Sequence, residues 1–303
     1  MKKNQQKQPN PVPAATIVLV REQAAELQTY LLKRSTKSGF MAGNYVFPGG
    51  VVDAGDLTAQ EWEKHIDLSP TTLSQRLGGE FGQQNVMAYG VAAIRETFEE
   101  AGVFLAHCEG QSAANLEHLQ QLRLAANLSN DWLQNLVDSQ PWRLAFSGLY
   151  RWSHWITPEK MKRRYDTRFF VAIIPADQAC RPDTRETTHG LWVSPEKGLT
   201  GNLSGEIPLS PPAVVTLHEL LSFRSLDDLI QHAESRPWGE ALLPRLVPTE
   251  KEVVIVEPWD PNYNQKEIQL SGRQLADNVV DVGQPFSRLW HHGGIWRPVH
   301  AEN

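Results

Sequence analysis

Three carboxylates, Glu96, Glu99 and Glu100, fall within the run Arg95-Glu96-Thr97-Phe98-Glu99-Glu100-Ala101-Gly102-Val103. Steps of three and four residues bring side chains to the same face of a helix. At roughly 100° per residue, the arc of these acids is centred opposite the apolar stripe of Met87, Val91, Ile94, Phe98 and Ala101. The spacing therefore predicts a helix over 87–101, with one face for a core and the other for charge. Gly102 ends it, as glycine does just past a last turn. Like charges at this spacing repel by about a few tenths of a kcal/mol per pair. No lysine lies among the acids, and only Arg95 is placed to pair with Glu99. A hard divalent cation reverses the sign of that repulsion, because it takes carboxylate oxygens, and a cation so held can bind a phosphate. The alternative is a surface helix whose acids only face water.

Upstream, Tyr45-Val46-Phe47-Pro48-Gly49-Gly50-Val51-Val52-Asp53-Ala54-Gly55-Asp56 runs from a short apolar strand into Pro-Gly-Gly. There the backbone can turn sharply and approach a ligand. Together the two segments resemble the Nudix box: Gly, five residues, Glu, seven residues, then Arg-Glu-hydrophobic-x-Glu-Glu-x-Gly-hydrophobic. Gly50 fits the first position, and Arg95, Glu96, Glu99, Glu100, Gly102 and Val103 fit the last block. Two positions depart. Thr97 stands where an aliphatic residue is usual, and Asp56 stands where the first Glu belongs. Arg95 also lies 39 positions after Asp56 instead of eight, an excess of 31 residues between the glycine loop and the acidic helix. The inserted text, about 57–87, contains Trp62, a Ser69-Pro70 break and a Gly78-Gly79 pair, and reads as a short helix and turns.

A box interrupted in this way is similar to that of the coenzyme A diphosphatase branch of the Nudix hydrolases. Trp155-Ile156-Thr157-Pro158, the run from Arg163 to Phe170, Trp192-Val193-Ser194-Pro195 and Pro208-Leu209-Ser210-Pro211-Pro212 support that branch. The resemblance covers about residues 14–235. It implies an α-β-α sandwich with a mixed sheet, carrying the insertion and a C-terminal extension. It also implies that Glu99 and Glu100 bind Mg²⁺ or Mn²⁺, with the Gly50 carbonyl as a further oxygen ligand. Glu96 is implied as another ligand or as the general base, and Arg95 as the residue that holds the helix carboxylates in place. Glu186 lies where many Nudix enzymes carry a loop acid; the alternative is a solvated loop charge.

The implied reaction cuts coenzyme A or an acyl derivative into phosphopantetheine and adenosine 3′,5′-bisphosphate. Gly49 and Gly50 would approach the diphosphate, with Arg34 as a phosphate partner. Lys160, Lys162, Arg163, Arg164 and Arg168 form a basic run close to Trp152 and Trp155. Arginine forks suit phosphate oxygens and aromatic faces suit an adenine, so Arg163 and Arg164 are candidates for the 3′-phosphate. The same box also serves other diphosphates, such as ADP-ribose or NADH, and a binding-only module is a third reading.

The elements that must position these residues follow from pattern. Strands are expected at 15–20, 27–33, 45–47, 148–155, 168–174, 191–193 and 251–256. Besides the acidic helix, helical spacing runs over 115–138 with a break near 127–130. Two further helices are expected at 213–223 and 226–233, the second capped by Ser225. Residues 1–13, rich in Lys, Gln and Pro, read as a disordered leader. Residues 236–303, rich in Trp and Pro, form an extension whose structure the pattern does not define. At 303 residues and 41% hydrophobic content the chain can bury a sizeable core. A net charge of −6 argues against general nucleic-acid binding. Cys108 and Cys180 give neither a disulfide framework nor zinc spacing. No run approaches the roughly 18 apolar residues of a membrane span, and a cytoplasmic protein is expected. The partner expected is a small-molecule diphosphate; monomer and homodimer are equally compatible with the sequence.

Overall fold

The computed structural model describes residues 9–37, 41–78, 82–108, 113–125 and 128–301. In chain order its strands are β1 (Val12–Gln23), β2 (Glu26–Arg34), β3 (Tyr45–Val46), β4 (Gly49–Val51), β5 (Ala106–Cys108), β6 (Trp142–Leu144), β7 (Tyr150–Ile156), β8 (Tyr165–Ile173), β9 (Thr187–Val193), β10 (Arg245–Pro248), β11 (Val253–Val256), β12 (Arg288–His292) and β13 (Ile295–Val299). The helices are α1 (Ala59–Trp62), α2 (Pro70–Leu73), α3 (Gly82–Ala101), α4 (Ala113–Leu124), α5 (Trp132–Ser139), α6 (Pro195–Ser204), α7 (Pro211–Leu220), α8 (Leu226–Ser235) and α9 (Gly272–Asp277). Of the expected leader, residues 1–8 lie outside the described residues. Val12 and Pro13, placed in that leader by composition, instead already belong to β1.

A mixed seven-stranded sheet organises the molecule. β1 lies parallel to β8 and antiparallel to β2 and β4, while β2 carries β3 and β9. The β1–β2 hairpin turns through Ala24 and Ala25, both at positive φ (54° and 59°). A tight two-residue hairpin asks for that pair of left-handed residues. Alternation along the strands splits the core. Ala15, Ile17 and Leu19 pack with Val91, Ile94 and Phe98 of α3 on one face. Val18 and Val20 pack with Val214 and Leu217 of α7 on the other.

The inserted segment joins the first of these layers. Its Trp62, Ile66, Leu73 and Leu77 are buried in the same core as α3, and Ser69 caps α2 by accepting from the Thr72 amide at 3.2 Å. The region after 236, undefined by pattern, folds as a four-stranded antiparallel sheet β10-β11-β12-β13. It joins the second layer through Ile255, Leu289 and Trp296. Trp238 ties its start to the insertion by donating from Nε1 to the Leu77 carbonyl at 2.7 Å. Among the described residues, no helix is long and apolar enough to cross a membrane.

Candidate active site

Helix α3 delivers Arg95, Glu96, Glu99 and Glu100 to one end of a cleft, with the buried stripe of Val91, Ile94 and Phe98 fixing its rotation. Gly102, at φ 72°, closes the helix, and its amide donates to the Phe98 carbonyl at 2.8 Å. The helix end is tied down further by Arg123, whose Nη1 donates to the Glu99 carbonyl at 3.1 Å.

Arg95 is the hub of the acids. It is 6% exposed, and its Nε and Nη2 grip both oxygens of Asp56 at 3.1 and 2.8 Å. Nη2 also donates to the Val51 carbonyl at 2.9 Å, which locks the glycine loop to the helix. Nη1 donates to Oε1 of Glu96 at 2.8 Å and to Oε2 of Glu99 at 3.2 Å. Burial works against its charge, yet the bonds to Asp56 and the neighbouring Glu96 and Glu99 hold its pKa above the usual value. Asp56 itself is buried and holds Arg95 instead of lining the cleft. The 31-residue insertion therefore leaves the ion pair across it intact.

Each acid has a distinct setting. Oε2 of Glu100 accepts from the Gly49 amide at 3.0 Å. Burial, reinforced by Glu96, raises the Glu100 pKa well above the ordinary value against the pull of that amide and of Arg34. Glu96 is pushed up to about 7 by burial, with Glu99 adding to the rise and Arg95 opposing it. Glu99 is held from behind by Trp132 of α5, whose Nε1 donates to Oε1 at 2.7 Å. Gly50 lies directly against Glu96: a Cβ there would stand 2.4 Å from the Glu96 carboxyl carbon. A side chain there would displace the Glu96 carboxylate from this position.

Mutual repulsion among closely spaced carboxylates, short of compensating cations, is the chemistry a divalent ion relieves. The donor set at Gly50, Glu96, Glu99 and Glu100 thus fits Mg²⁺ or Mn²⁺ in kind. The oxygens are not already converged: among the described residues no group of three acid, His or Cys side chains is assembled to hold an ion. Glu96 and Glu99 instead share Arg95, so an ion taken up by Glu99 would compete with Arg95 for its carboxylate.

The cleft, about 650 Å³, runs over the sheet face opposite α3 and is lined by Thr16, Phe47, Trp155, Phe169, Pro211 and Ala213 among others. Arg34, Gly49, Gly50 and Glu186 all line it. Glu186 is exposed, on a loop folded around the buried Asp183, which accepts from the amides of Arg185, Glu186 and Thr187. That loop is anchored to the end of the acidic helix, the Asp183 amide donating to the Glu100 carbonyl at 3.1 Å.

The basic run does not gather here. Arg164, expected to read a phosphate, is buried and donates to the carbonyls of Thr157 (3.0 Å) and Pro9 (3.2 Å). Its guanidinium holds main chain. Arg163 is exposed and is not among the lining residues, and Arg168 pairs with Asp166 at 2.8 Å. Trp155 lines the cleft, whereas Trp152 packs against Phe223 and His232. His154 bonds Asp166 at 2.7 Å within a buried strand pair. Sequence reasoning missed Trp132 behind Glu99, and the wall supplied by the C-terminal sheet: Leu246, Val253, Ile255, Glu257 and Trp296. The unbroken apolar run Val253-Val254-Ile255-Val256 marks a strand but not which of its faces forms that wall.

Comparison with known proteins matches residues 65–220 to the NUDT19 Nudix domain, a span that includes the acid-bearing helix. The chain is similar to the acyl-coenzyme A diphosphatase NUDT19 of Gallus gallus, at 29% identity over 87% of this chain and 82% of that protein. The Homo sapiens protein of the same name is 28% identical over 86% of this chain and 79% of its own length. A putative nudix hydrolase 7 of Caenorhabditis elegans is 27% identical over 92% and 84%. Among solved structures, a NUDIX hydrolase from Alicyclobacillus acidocaldarius aligns with a TM-score of 0.60 over 76% of this chain and all of that one, at 21% identity. That likeness speaks to the fold.

Proposed function

Because the chain belongs to the NUDT19 Nudix family and is a Nudix hydrolase, we propose that it cleaves the diphosphate of coenzyme A or acyl-coenzyme A in a metal-dependent reaction. The products are phosphopantetheine, or its acyl form, and adenosine 3′,5′-bisphosphate. The observation that carries this reading is the set of Glu96, Glu99 and Glu100 facing the Gly49-Gly50 turn at the end of a cleft of about 650 Å³. A cleft of that size suits an extended cofactor. The chain's similarity to acyl-coenzyme A diphosphatases adds the substrate class.

In this reading Glu99, Glu100 and the Gly50 carbonyl would hold Mg²⁺ or Mn²⁺, and Glu96 takes the other of its two implied roles, the general base. When bound, the metal neutralises charge on the diphosphate and makes water easier to deprotonate. The chain does the rest. Arg95 fixes Glu96 through Oε1, which leaves Oε2 as the oxygen we assign to taking a proton from the attacking water. A carboxyl with a pKa of about 7 is matched to that task near neutrality. Arg34 positions a phosphate beside Glu100, and Glu186 stands as a second base or ligand at the rim. Residues 14–235 are assigned to catalysis and 236–303 to completing the cleft. The reading carries a reducing, cytoplasmic setting, in keeping with Cys108 and Cys180 as free thiols.

The test is incubation of the purified protein with Mg²⁺ or Mn²⁺ and coenzyme A, acetyl-coenzyme A, ADP-ribose or NADH, with products read by mass. Phosphopantetheine and adenosine 3′,5′-bisphosphate as the fastest products support the reading. Faster release of AMP from ADP-ribose or NADH keeps the family and overturns the substrate.

A further inference from the structure

The two ends of the cleft differ in charge. Among the described lining residues the cations are Arg34 and Arg95, both beside the acids of α3. The opposite wall comes from the C-terminal sheet. Strand alternation turns Val254 and Val256 into a separate small core with Leu275, Trp290 and Val299. It turns Val253, Ile255 and the following Glu257 toward the cleft. Leu246, paired with Ile255 across β10 and β11, and Trp296 of β13 widen this apolar wall.

Glu257 is out of place there by every ordinary criterion. It is fully buried, it lines the cleft, and neither carboxyl oxygen has a hydrogen-bond partner among the described residues. Buried polar groups are normally paired, and an unpaired one is costly. Its backbone is well held, the amide donating to the Ser287 carbonyl at 2.9 Å, so the carboxyl is fixed in position without an internal mate.

We propose that the C-terminal sheet forms a compartment for the uncharged, amide-bearing pantetheine arm of the substrate, with Leu246, Val253, Ile255 and Trp296 taking its apolar atoms and Glu257 hydrogen-bonding one of its amide or carbonyl groups. The identity of the arm rests on the coenzyme A reading above; the compartment rests on the geometry. The phosphate-rich half of such a substrate is excluded from this wall, which offers a carboxyl and, among the described residues, no cation, and is directed to Arg34 and the acids. Burial pushes the Glu257 pKa up to about 8. At neutral pH the group is therefore a carboxylic acid, able to donate through O–H and accept through its other oxygen.

The compartment is tested by calorimetric titration of the full-length protein with S-octanoylpantetheine, which carries the arm and an acyl chain but no phosphate or nucleotide. Saturable binding is expected, weakened about tenfold in Glu257→Leu, the weight of one buried hydrogen bond, and retained in Glu257→Gln. Leu246→Trp narrows the compartment from its half-buried wall and is expected to weaken binding as much, which keeps the test intact if Glu257→Leu fails to fold. Adenosine 3′,5′-bisphosphate is expected to bind all variants alike. Absence of saturable binding to the wild type, or equal affinity across the variants, overturns the compartment. Arm binding without cleavage of coenzyme A would overturn the diphosphatase reading and leave the compartment standing.

Discussion

At the scale of single residues, the site is an arrangement of repelling acids around one guanidinium. Arg95 bonds Asp56, Glu96, Glu99 and the Val51 carbonyl at once, and a lysine cannot reproduce that planar fork. Arg95→Lys is expected to lower kcat by about tenfold or more, with a smaller change in KM, because it loosens the acids without removing a substrate contact. Steady-state kinetics checks this; a change confined to KM would place Arg95 on the substrate instead. The acids also predict a pH dependence. Glu96, at about 7 in the folded chain, lies above its ordinary value of 4.5. Its contribution to stability is therefore present below 4.5 and lost as pH rises through about 7. A divalent ion competes with those protons, so the gain in Tm on adding Mg²⁺ should grow between about pH 5.5 and about pH 8. A gain independent of pH would contradict the carboxylate assignment.

The residues of α3 also show where sequence was readable. The acids and the stripe at Val91, Ile94 and Phe98 are related by helical period, so local pattern was enough. Arg164 was misleading for the converse reason. Its position in a basic run is local, whereas the carbonyls of Thr157 and Pro9 that bury it are a product of tertiary folding.

At the scale of elements, α3 begins at Gly82, a turn earlier than the apolar stripe indicates. Gly82, Gln83, Gln84 and Asn85 carry no hydrophobic mark, and the stripe starts only with Val86 and Met87. β4 was hidden in the glycine loop because Gly49 and Gly50 lack side chains to alternate. Two positions on α3 carry predictions. Thr97, in place of the usual aliphatic residue, is fully buried with an unpartnered hydroxyl among the described residues. Thr97→Val should stabilise the protein by about 1 kcal/mol, read as an increase in Tm; a decrease would mean the hydroxyl is satisfied in solution. Gly90 is the opposite case, since a Cβ there would stand 2.3 Å from the Phe146 ring. Gly90→Ala should therefore destabilise by about 1–3 kcal/mol through overpacking, measured by chemical denaturation.

At the scale of the whole molecule, one sheet separates two jobs. Its α3 face, reinforced by the insertion, rotates the acids into position. Its other face and the C-terminal sheet enclose the cleft. Of that C-terminal sheet only the strand near Val253–Val256 was legible. Trp, His, Pro and Gly punctuate the rest, and the pairing of β10, β12 and β13 is set by contacts across the fold. Glu257 predicts a pH dependence for this region. Its pKa of about 8 exceeds the ordinary 4.5, so its contribution to stability is lost as pH rises from 4.5 through about 8. Each unit of that shift corresponds to about 1.4 kcal/mol. The Tm of Glu257→Gln relative to wild type should accordingly climb across this range, and a constant difference would show that Glu257 is ionised throughout.

If the carboxylates of α3 drive hydrolysis of the coenzyme A diphosphate, neutralising one of them must abolish turnover. Mg²⁺-supported turnover of coenzyme A is to be measured for the wild type and for Glu100→Gln side by side, with the fold checked by circular dichroism. Phosphopantetheine and adenosine 3′,5′-bisphosphate are expected from the wild type, and less than about a tenth of that rate from a folded Glu100→Gln. Comparable rates from both proteins would contradict it.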